Sequence, residues 1–371
     1  MRCGILVSSM GNFGKANFYN SQEIGLGKAL SNYFEEVLIY KAVEETDSVG
    51  ENHECLGNYP NVMVKYIPAK RRGINGIINT EELDANVNVL IFFSDLQMVL
   101  PKIVRWSNDN GVMLLPYIGV LESHSDGSVK RFISNLRVKK YKKIYSELTC
   151  LAKTPKMYDE LMENCKKNPI MLPVGLDEDL LKKDYSSFSR EQICEELFID
   201  RKKHIVLFIG RMVAEKEPLH MVDLFKEIRE KDNEAFLVMI GKGNLLENVR
   251  NKIAEENLLG CTRIVEAVNN SEIWKYYHIA EVFINLNKGE IFGMSILEAM
   301  YYGTRVIAWK APGPNYLLGE ENNCCSDEQI VMKYLEAKEG AERGTEIGKL
   351  LWKESVIPVV NFVNSCIAIR N

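Results

Sequence analysis

Residues 285–316 read NLNKGEIFGMSILEAMYYGTRVIAWKAPGPNY and follow a short apolar run, residues 282–284, of the kind that forms a buried strand. Two carboxylates in this stretch, Glu290 and Glu298, are separated by seven residues. Ser295 and Glu298 have the spacing of a capping box, which predicts a helix from Ser295 to about residue 302. The glycine at 303 is expected to end that helix, and residues 305–309 read as the next strand.

This pattern places Glu290 on the loop that leaves a strand and Glu298 in the first turn of a helix. The backbone N–H groups at a helix N-terminus bind anions such as phosphate. Carboxylates, in turn, accept hydrogen bonds from hydroxyl groups. The stretch therefore favours a ligand that carries both hydroxyls and phosphates. The alternative is purely structural, with Glu298 capping the helix and Glu290 solvated.

Apolar runs alternate with helical segments along the whole chain, in two successive series. Predicted strands cover residues 3–9, 37–40, 62–67, 87–93, 112–118, 170–174, 204–209, 235–240, 262–265, 282–284 and 305–309. Predicted helices cover residues 21–33, 96–108 with an interruption at Pro101, 128–145 with a bend or break at 138–140, 155–164 after an N-cap at Thr154, 189–197 with a capping box of Ser189 and Gln192, 218–231, 245–257, 270–278, 295–302 and 327–340. This alternation predicts two Rossmann-like domains, which bind ligands at the carboxyl ends of their strands.

Composition excludes several classes of protein. The 371 residues fit two ordinary domains, and a net charge of −5 argues against nucleic acid as a partner. Nine scattered cysteines without a C-x-x-C, together with five isolated histidines, predict reduced thiols and no metal site. No apolar run reaches the ~18 residues of a membrane span, and the N-terminal run is too short for a signal peptide. We therefore expect a soluble, cytoplasmic protein.

Three segments resemble a known family. GEIFGMSILEAMYYGTRVIAWKAPG, residues 289–313, resembles the Glu-x7-Glu segment of family 4 glycosyltransferases, which are retaining enzymes of the GT-B fold. GRMVAEKEP, residues 210–218, resembles the Gly-Arg…Lys donor motif of the same family, although Glu217 stands where the family usually has glycine. LPVGLDEDLL, residues 172–181, resembles the segment that joins the two domains of the family.

The resemblance implies an α/β protein of GT-B architecture, with two Rossmann-like domains facing across a central cleft. Residues 1–180 would form the N-terminal, acceptor-side domain, and residues 181–352 the C-terminal, nucleotide-sugar donor-binding domain. Residues 353–371 would form a terminal helix that crosses back to the N-terminal domain.

The resemblance also implies roles for individual residues. Glu290 would hold hydroxyls of the donor sugar, and Glu298 the ribose hydroxyls of the nucleotide. Arg211 and Lys216 would stabilise the leaving diphosphate, a task that suits a planar guanidinium and a point-charge ammonium. The alternatives are a strand-end salt bridge for Arg211 and a surface position for Lys216.

Further residues enter the predicted site through the same resemblance. His124 is the candidate for a catalytic histidine near the donor sugar, with a surface histidine as the alternative. Residues with a predicted part in binding the nucleotide sugar are Gly14, Gly241, Val268, Phe292, Gly293, Met294 and Ser295. No metal ligand and no cofactor are predicted, and the favoured donor substrate is a UDP-sugar.

The predicted function is a retaining hexosyltransferase that moves a sugar from a nucleotide-diphosphate sugar to an acceptor hydroxyl. The acceptor would be a glycan or a lipid-linked molecule, in the synthesis of a capsule, O-antigen, exopolysaccharide or glycolipid. Two alternatives are a non-catalytic nucleotide-sugar-binding protein of the same fold and a GT-B sugar-nucleotide 2-epimerase. A nicotinamide-dependent enzyme is disfavoured because the fingerprint G-x-G-x-x-G does not follow the first predicted strand.

Residues 128–145 carry seven lysines or arginines and no acid, with apolar residues at helical spacing. A basic amphipathic helix of this kind binds anionic membrane surfaces. The segment between Lys130 and Lys143 therefore predicts peripheral contact with the inner face of the membrane. The alternative is an ordinary solvated helix face.

Overall fold

The computed structural model describes residues 1–10, 21–44, 53–121, 128–338 and 351–368. These residues form two compact units. The first contains the described residues up to 177 together with residues 351–368, and the second contains residues 178–338. His124 and Gly14 lie outside the described residues. None of the described helices is both long enough and apolar enough to cross a membrane.

The first unit is built on a mixed sheet. Its strands are β1 (Arg2–Val7), β2 (Glu36–Glu44), β3 (His53–Leu56), β4 (Tyr59–Arg72), β5 (Asn75–Ile78), β6 (Val89–Phe93), β7 (Met113–Ile118), β8 (Leu151–Ala152) and β9 (Ile170–Met171). The order is β3-β4-β2-β1-β6-β7-β8-β9, with β5 paired to β4. All pairs are parallel except β3 with β4 and β4 with β5. The helices that accompany the sheet are α1 (Gln22–Leu30), α2 (Leu100–Asp109), α3 (Ser128–Tyr145) and α4 (Pro155–Asn164).

The second unit has a fully parallel sheet. Its strands are β10 (His204–Ile209), β11 (Ala235–Ile240), β12 (Thr262–Val265), β13 (Val282–Asn285) and β14 (Arg305–Ala308), in the order β12-β11-β10-β13-β14. Its helices are α5 (Arg190–Glu196), α6 (Pro218–Lys231), α7 (Leu246–Glu255), α8 (Ile273–Ile279), α9 (Met294–Tyr301), α10 (Pro312–Leu318) and α11 (Asp327–Lys338). The strand order reverses between β10 and β13, and ligands of open α/β sheets bind at this switch point, beyond the carboxyl ends of the strands.

The C-terminal helices α12 (Trp352–Ser355) and α13 (Ile357–Ala368) belong to the first unit. The buried Trp352 fits against Gly175, where an added Cβ would lie 2.2 Å from the Trp352 backbone nitrogen. The Trp352 N–H also donates to the carbonyl of Leu176 at 3.3 Å. That the first unit binds the acceptor and the second unit binds the nucleotide-sugar donor stays a prediction.

Several elements differ from the sequence-based prediction. Pro101 does not interrupt α2 but lies in its first turn, where the missing N–H of proline costs no helical hydrogen bond. Helix α3 continues through residues 138–140 without a break. The short strands β3, β5 and β8 and the helix α10 were not predicted. The N-cap at Thr154 and the capping box of Ser189 are confirmed.

A buried acid stabilises the second unit. Asp232 is almost inaccessible and accepts hydrogen bonds from the Tyr334 hydroxyl at 2.6 Å and from His204 Nδ1 at 2.7 Å. Burial alone would raise the pKa of Asp232, but these hydrogen bonds and one from the Glu234 N–H outweigh it and lower the pKa from 3.8 to about 2. The ionised carboxylate is therefore the form that the fold prefers.

We expect the Asp232 cluster to make stability fall in acid. Because the folded pKa lies below the unfolded one, the stabilisation is complete above about pH 4 and is lost as the pH falls towards 2, by about 2 kcal/mol. Urea unfolding of wild type and Asp232→Asn between pH 6 and 3 measures the difference. Asp223→Asn, which alters a half-exposed carboxylate, is the control. An Asp232→Asn variant with the acid sensitivity of wild type would contradict the assignment.

Candidate functional site

The loops that follow β10 and β11 are packed directly on each other. The Met212 N–H donates to the carbonyl of Lys242 at 2.8 Å, and the Leu245 N–H donates to the carbonyl of Met212 at 2.9 Å. Gly241 has a φ of +146°, and a Cβ at this position would lie 1.9 Å from the Gly210 carbonyl oxygen. The Gly-Lys-Gly sequence is thus required for the close approach of two backbones at the carboxyl end of the sheet.

The two predicted cations of the β10 loop have different surroundings. Arg211 is half exposed, and its nearest acid is Glu215 at 3.4 Å. Lys216 ends a single 3-10 turn, Ala214–Lys216, and its side chain is only 24% exposed. Of the two, Lys216 is the one whose position the fold fixes.

Glu217, the departure from the family pattern, has φ +55° and ψ +43°. This left-handed conformation costs an L-residue other than glycine about 1 kcal/mol. Glycine, which the family usually has at this position, adopts the left-handed conformation without that cost. Pro218 follows as the first residue of α6, so the chain turns sharply between Lys216 and that helix.

Glu290 lies in the loop after β13 and is held by three donors. Lys216 Nζ lies 2.5 Å from Glu290 Oε2, and Asn287 Nδ2 lies 3.2 Å from the same oxygen. Asn285 Nδ2 is a longer contact at 3.5 Å. The carboxylate is 13% exposed, so the loops of β10 and β13 are joined by a largely buried ion pair at the switch point.

Sequence analysis did not identify Asn285 and Asn287. Asn287 precedes Glu290 by three residues in the same loop, a spacing that could have indicated a local contact. The Asn285 side chain also accepts a hydrogen bond from the Asn287 N–H at 3.1 Å, which fixes the turn. Both asparagines orient the carboxylate that the resemblance singled out.

The predicted start of the next helix was wrong. Helix α9 begins at Met294 after an N-cap at Gly293, which has φ +97°, and no side chain caps the helix. Ser295 is therefore a helical residue, and it does not form a capping box with Glu298. A left-handed N-cap glycine gives no capping signal in the sequence, which explains the error. The N–H groups of Met294 and Ser295 lie in the first turn, where no acceptor exists within the helix.

Glu298, one turn into α9, is contacted from helix α8. The Tyr277 hydroxyl donates to Glu298 Oε2 at 2.9 Å. Tyr277 is fully buried, and burial, reinforced by the negative charge of Glu298, raises its pKa well above the usual value. The phenol is therefore a protonated donor to the carboxylate. Sequence analysis missed this residue, which lies 21 positions before its partner.

The remaining predicted residues occupy separate places in the second unit. Phe292 is buried beside the ring of Tyr316. The Glu290 carbonyl accepts from the Gly313 N–H at 2.9 Å, so the first turn of α10 supports the Glu290 loop. Val268 lies in the loop after β12 and is partly buried. Among the described residues, no group of three or more histidine, cysteine or acidic side chains is placed to hold a metal.

Full-length comparison defines the fold class. The chain aligns with sucrose-phosphate synthase from Thermosynechococcus elongatus with a TM-score of 0.74 at 15% identity, over 99% of both chains. HepE from Anabaena, solved in complex with UDP and glucose, gives a TM-score of 0.67 at 12% identity over 100% of this chain and 99% of that one. Two Rossmann-like units, one with a mainly parallel and one with a fully parallel sheet, match such structures end to end and define the GT-B class of fold. This confirms the predicted fold class.

The second unit matches a family of known proteins. Residues 189–339 match the model described as "Glycosyl transferases group 1". The 2-deoxystreptamine N-acetyl-D-glucosaminyltransferase of Niallia circulans is 26% identical over 191 residues, which are 51% of this chain and 48% of that protein. The chain spans about half the length of the curated relatives it matches. Residues 189–339 thus match the group 1 glycosyltransferases, in the part of the chain whose motifs resemble that family.

Proposed function

We propose that the protein is a retaining glycosyltransferase that moves a hexosyl group from a nucleoside-diphosphate sugar to an acceptor hydroxyl. The observation that carries the proposal is the Lys216–Glu290 ion pair, held at the switch point of a sheet whose residues match the family model. Glu290 is also close to the N-terminus of α9, because a Cβ added to its N-cap Gly293 would lie 3.4 Å from Glu290 Cγ. Backbone N–H groups at a helix N-terminus bind anions such as phosphate.

The proposed roles follow from the charges at this edge of the sheet. When the bond between sugar and diphosphate breaks, negative charge develops on the leaving diphosphate. Lys216, Arg211 and the N–H groups of Met294 and Ser295 supply fixed positive charge and dipoles for it. Glu290, whose carboxylate is oriented by Asn287, accepts hydrogen bonds from the sugar hydroxyls.

The nucleotide is proposed to bind through Glu298, which accepts the ribose hydroxyls, with Gly241 and Val268 near the base and phosphates. Lys216 is already paired with Glu290 in the structure. A bound diphosphate would therefore share the Lys216 ammonium group with Glu290. This arrangement keeps both charges hydrogen-bonded before and after the donor arrives.

A uridine nucleotide is the first donor to test, because HepE, which has the same fold, was solved with UDP. Thermal melting of the pure protein against UDP, GDP, ADP and their sugars, with and without Mg²⁺, is the test. A ligand at 100 times its Kd should stabilise the fold by about 2.7 kcal/mol. We expect one nucleoside diphosphate to raise the Tm in wild type and to lose most of this effect in Lys216→Ala. Absence of a shift with every member of the panel would refute a donor site.

The acceptor is proposed to be a glycan or lipid-linked hydroxyl in polysaccharide or glycolipid assembly, met at an anionic membrane surface. Helix α3 supports this partner, because Leu136 is 55% exposed on the same helix as the exposed Lys139, Lys140 and Lys143. The C-terminal end of α3 packs into the core of the first unit, where Tyr145 is fully buried. The exposed part of the helix is thus both basic and apolar.

We expect the protein to sediment with vesicles that contain phosphatidylglycerol and not with neutral phosphatidylcholine vesicles. Each basic residue near an anionic surface contributes about 1 kcal/mol, so Lys139→Glu with Lys140→Glu should reduce binding at least tenfold. Lys226→Glu, on the second unit, is the matched control because this lysine is also half exposed. Equal sedimentation of the α3 variant and wild type would refute the proposal that α3 binds an anionic membrane.

A further inference from the structure

The Tyr277 hydroxyl is a deeply buried polar group with an unusual partner. The side chain has no exposed surface, and its hydroxyl donates to Glu298 Oε2 at 2.9 Å. A buried phenol needs a hydrogen-bond partner, but a neutral acceptor such as a carbonyl would satisfy it. Here the partner is the carboxylate for which the proposed function requires a defined orientation.

The position of Tyr277 is fixed on every side. Its ring is stacked on that of Tyr302, with centroids 5.8 Å apart and planes at 18°, and it meets the edge of Phe283 at 5.9 Å. Its carbonyl accepts from the buried Thr304 hydroxyl at 2.6 Å. The Tyr302 hydroxyl, in turn, accepts from the Lys182 N–H at 3.1 Å. The donor that reaches Glu298 is therefore rigid.

We propose that Tyr277 is a positioning residue for ribose recognition, which holds the Glu298 carboxylate in the orientation that accepts the ribose hydroxyls. This inference rests on the proposed function, in which Glu298 binds ribose. A carboxylate has about four lone-pair sites, so a hydrogen bond from Tyr277 is compatible with hydrogen bonds from ribose hydroxyls to the same group. Fixing a charged acceptor before the ligand arrives removes an ordering cost from binding.

The test compares two nucleotides that differ by one ribose hydroxyl. Isothermal titration calorimetry with the nucleoside diphosphate found by melting, and with its 2′-deoxy counterpart, gives a ribo-to-deoxy preference. We expect Tyr277→Phe to lower this preference by about 3–10-fold, the effect of one hydrogen bond, while affinity for the deoxy nucleotide changes little. If Tyr277 had only a structural role, Tyr277→Phe would weaken the binding of both nucleotides equally. Equal weakening, or an unchanged ribo-to-deoxy preference, would therefore overturn the inference.

Two further variants sharpen the result. Tyr276→Phe makes the same chemical change one residue away, beside Arg263, Lys275 and Glu272, and should leave the preference unchanged. In a Glu298→Gln background, Tyr277→Phe should have no further effect on the preference, because it acts through Glu298. If the two substitutions are instead additive, Tyr277 does not act through Glu298. A wild-type protein that binds no nucleoside diphosphate refutes the proposed function itself, which distinguishes the two failures.

Discussion

Replacing Lys216 by alanine is expected to lower turnover by about 10²-fold or more, the usual effect of removing one charge-stabilising donor. The Lys216 ammonium is held 2.5 Å from Glu290 Oε2, so its charge is already in place before the donor binds. An ordered charge stabilises the departing diphosphate without reorganisation during the reaction. Turnover is measured as the release of nucleoside diphosphate from the sugar nucleotide identified by melting. Wild-type turnover in Lys216→Ala would refute this role.

Controls separate catalysis from stability. Lys216→Ala leaves the Glu290 carboxylate without its cation, so the unliganded variant is also expected to melt at a lower temperature. Lys216→Arg keeps the charge and should recover part of the turnover, which a loss of folding would not. Lys226→Ala removes a half-exposed lysine from the same unit and should leave turnover unchanged. Arg211→Ala is expected to lower turnover by the same order as Lys216→Ala.

The second sheet could be predicted from sequence because its strands are buried on both faces. Strands of this kind appear as continuous apolar runs, and β10 is one, with the four residues Ile205, Val206, Leu207 and Phe208 all buried. In the first unit, β5 was missed because Asn75–Ile78 is a short strand that begins Asn-Gly; it pairs with β4 and forms a bridge with Ser9. Its pairing with a neighbouring strand, rather than any pattern of its own, makes it a strand.

The site could be predicted only in part. The resemblance to the family's Glu-x7-Glu and Gly-Arg…Lys motifs singled out Glu290, Glu298 and Lys216. They did not show that Lys216 and Glu290 form a pair across 74 positions, since that contact depends on β10 and β13 being neighbours. The contact of Tyr277 with Glu298 depends likewise on how α8 packs beside α9. The helix start at Gly293 was missed because backbone conformation, not a side chain, determines it.

Gly241→Ala is expected to reduce the free energy of unfolding by about 3 kcal/mol or more. The added Cβ would lie 1.9 Å from the Gly210 carbonyl oxygen, and a φ of +146° is unfavourable for alanine. The backbone on both sides of the contact is held by hydrogen bonds of the sheet. Neither loop can therefore move away from the added methyl group without breaking some of these bonds. Urea unfolding of the purified variant measures the loss.

Gly260→Ala is the matched control, because nothing lies within 4 Å of an added Cβ there, and we expect a change of at most about 0.5 kcal/mol. The Gly241 substitution should also weaken nucleoside diphosphate binding at temperatures where the variant is still folded. Gly210 directly precedes Arg211, so a shift of the Gly210 carbonyl moves the arginine that is proposed to bind the diphosphate. A Gly241→Ala protein that is destabilised but binds with wild-type affinity would show that the glycine serves only the packing of the two loops, and that Arg211 does not depend on it.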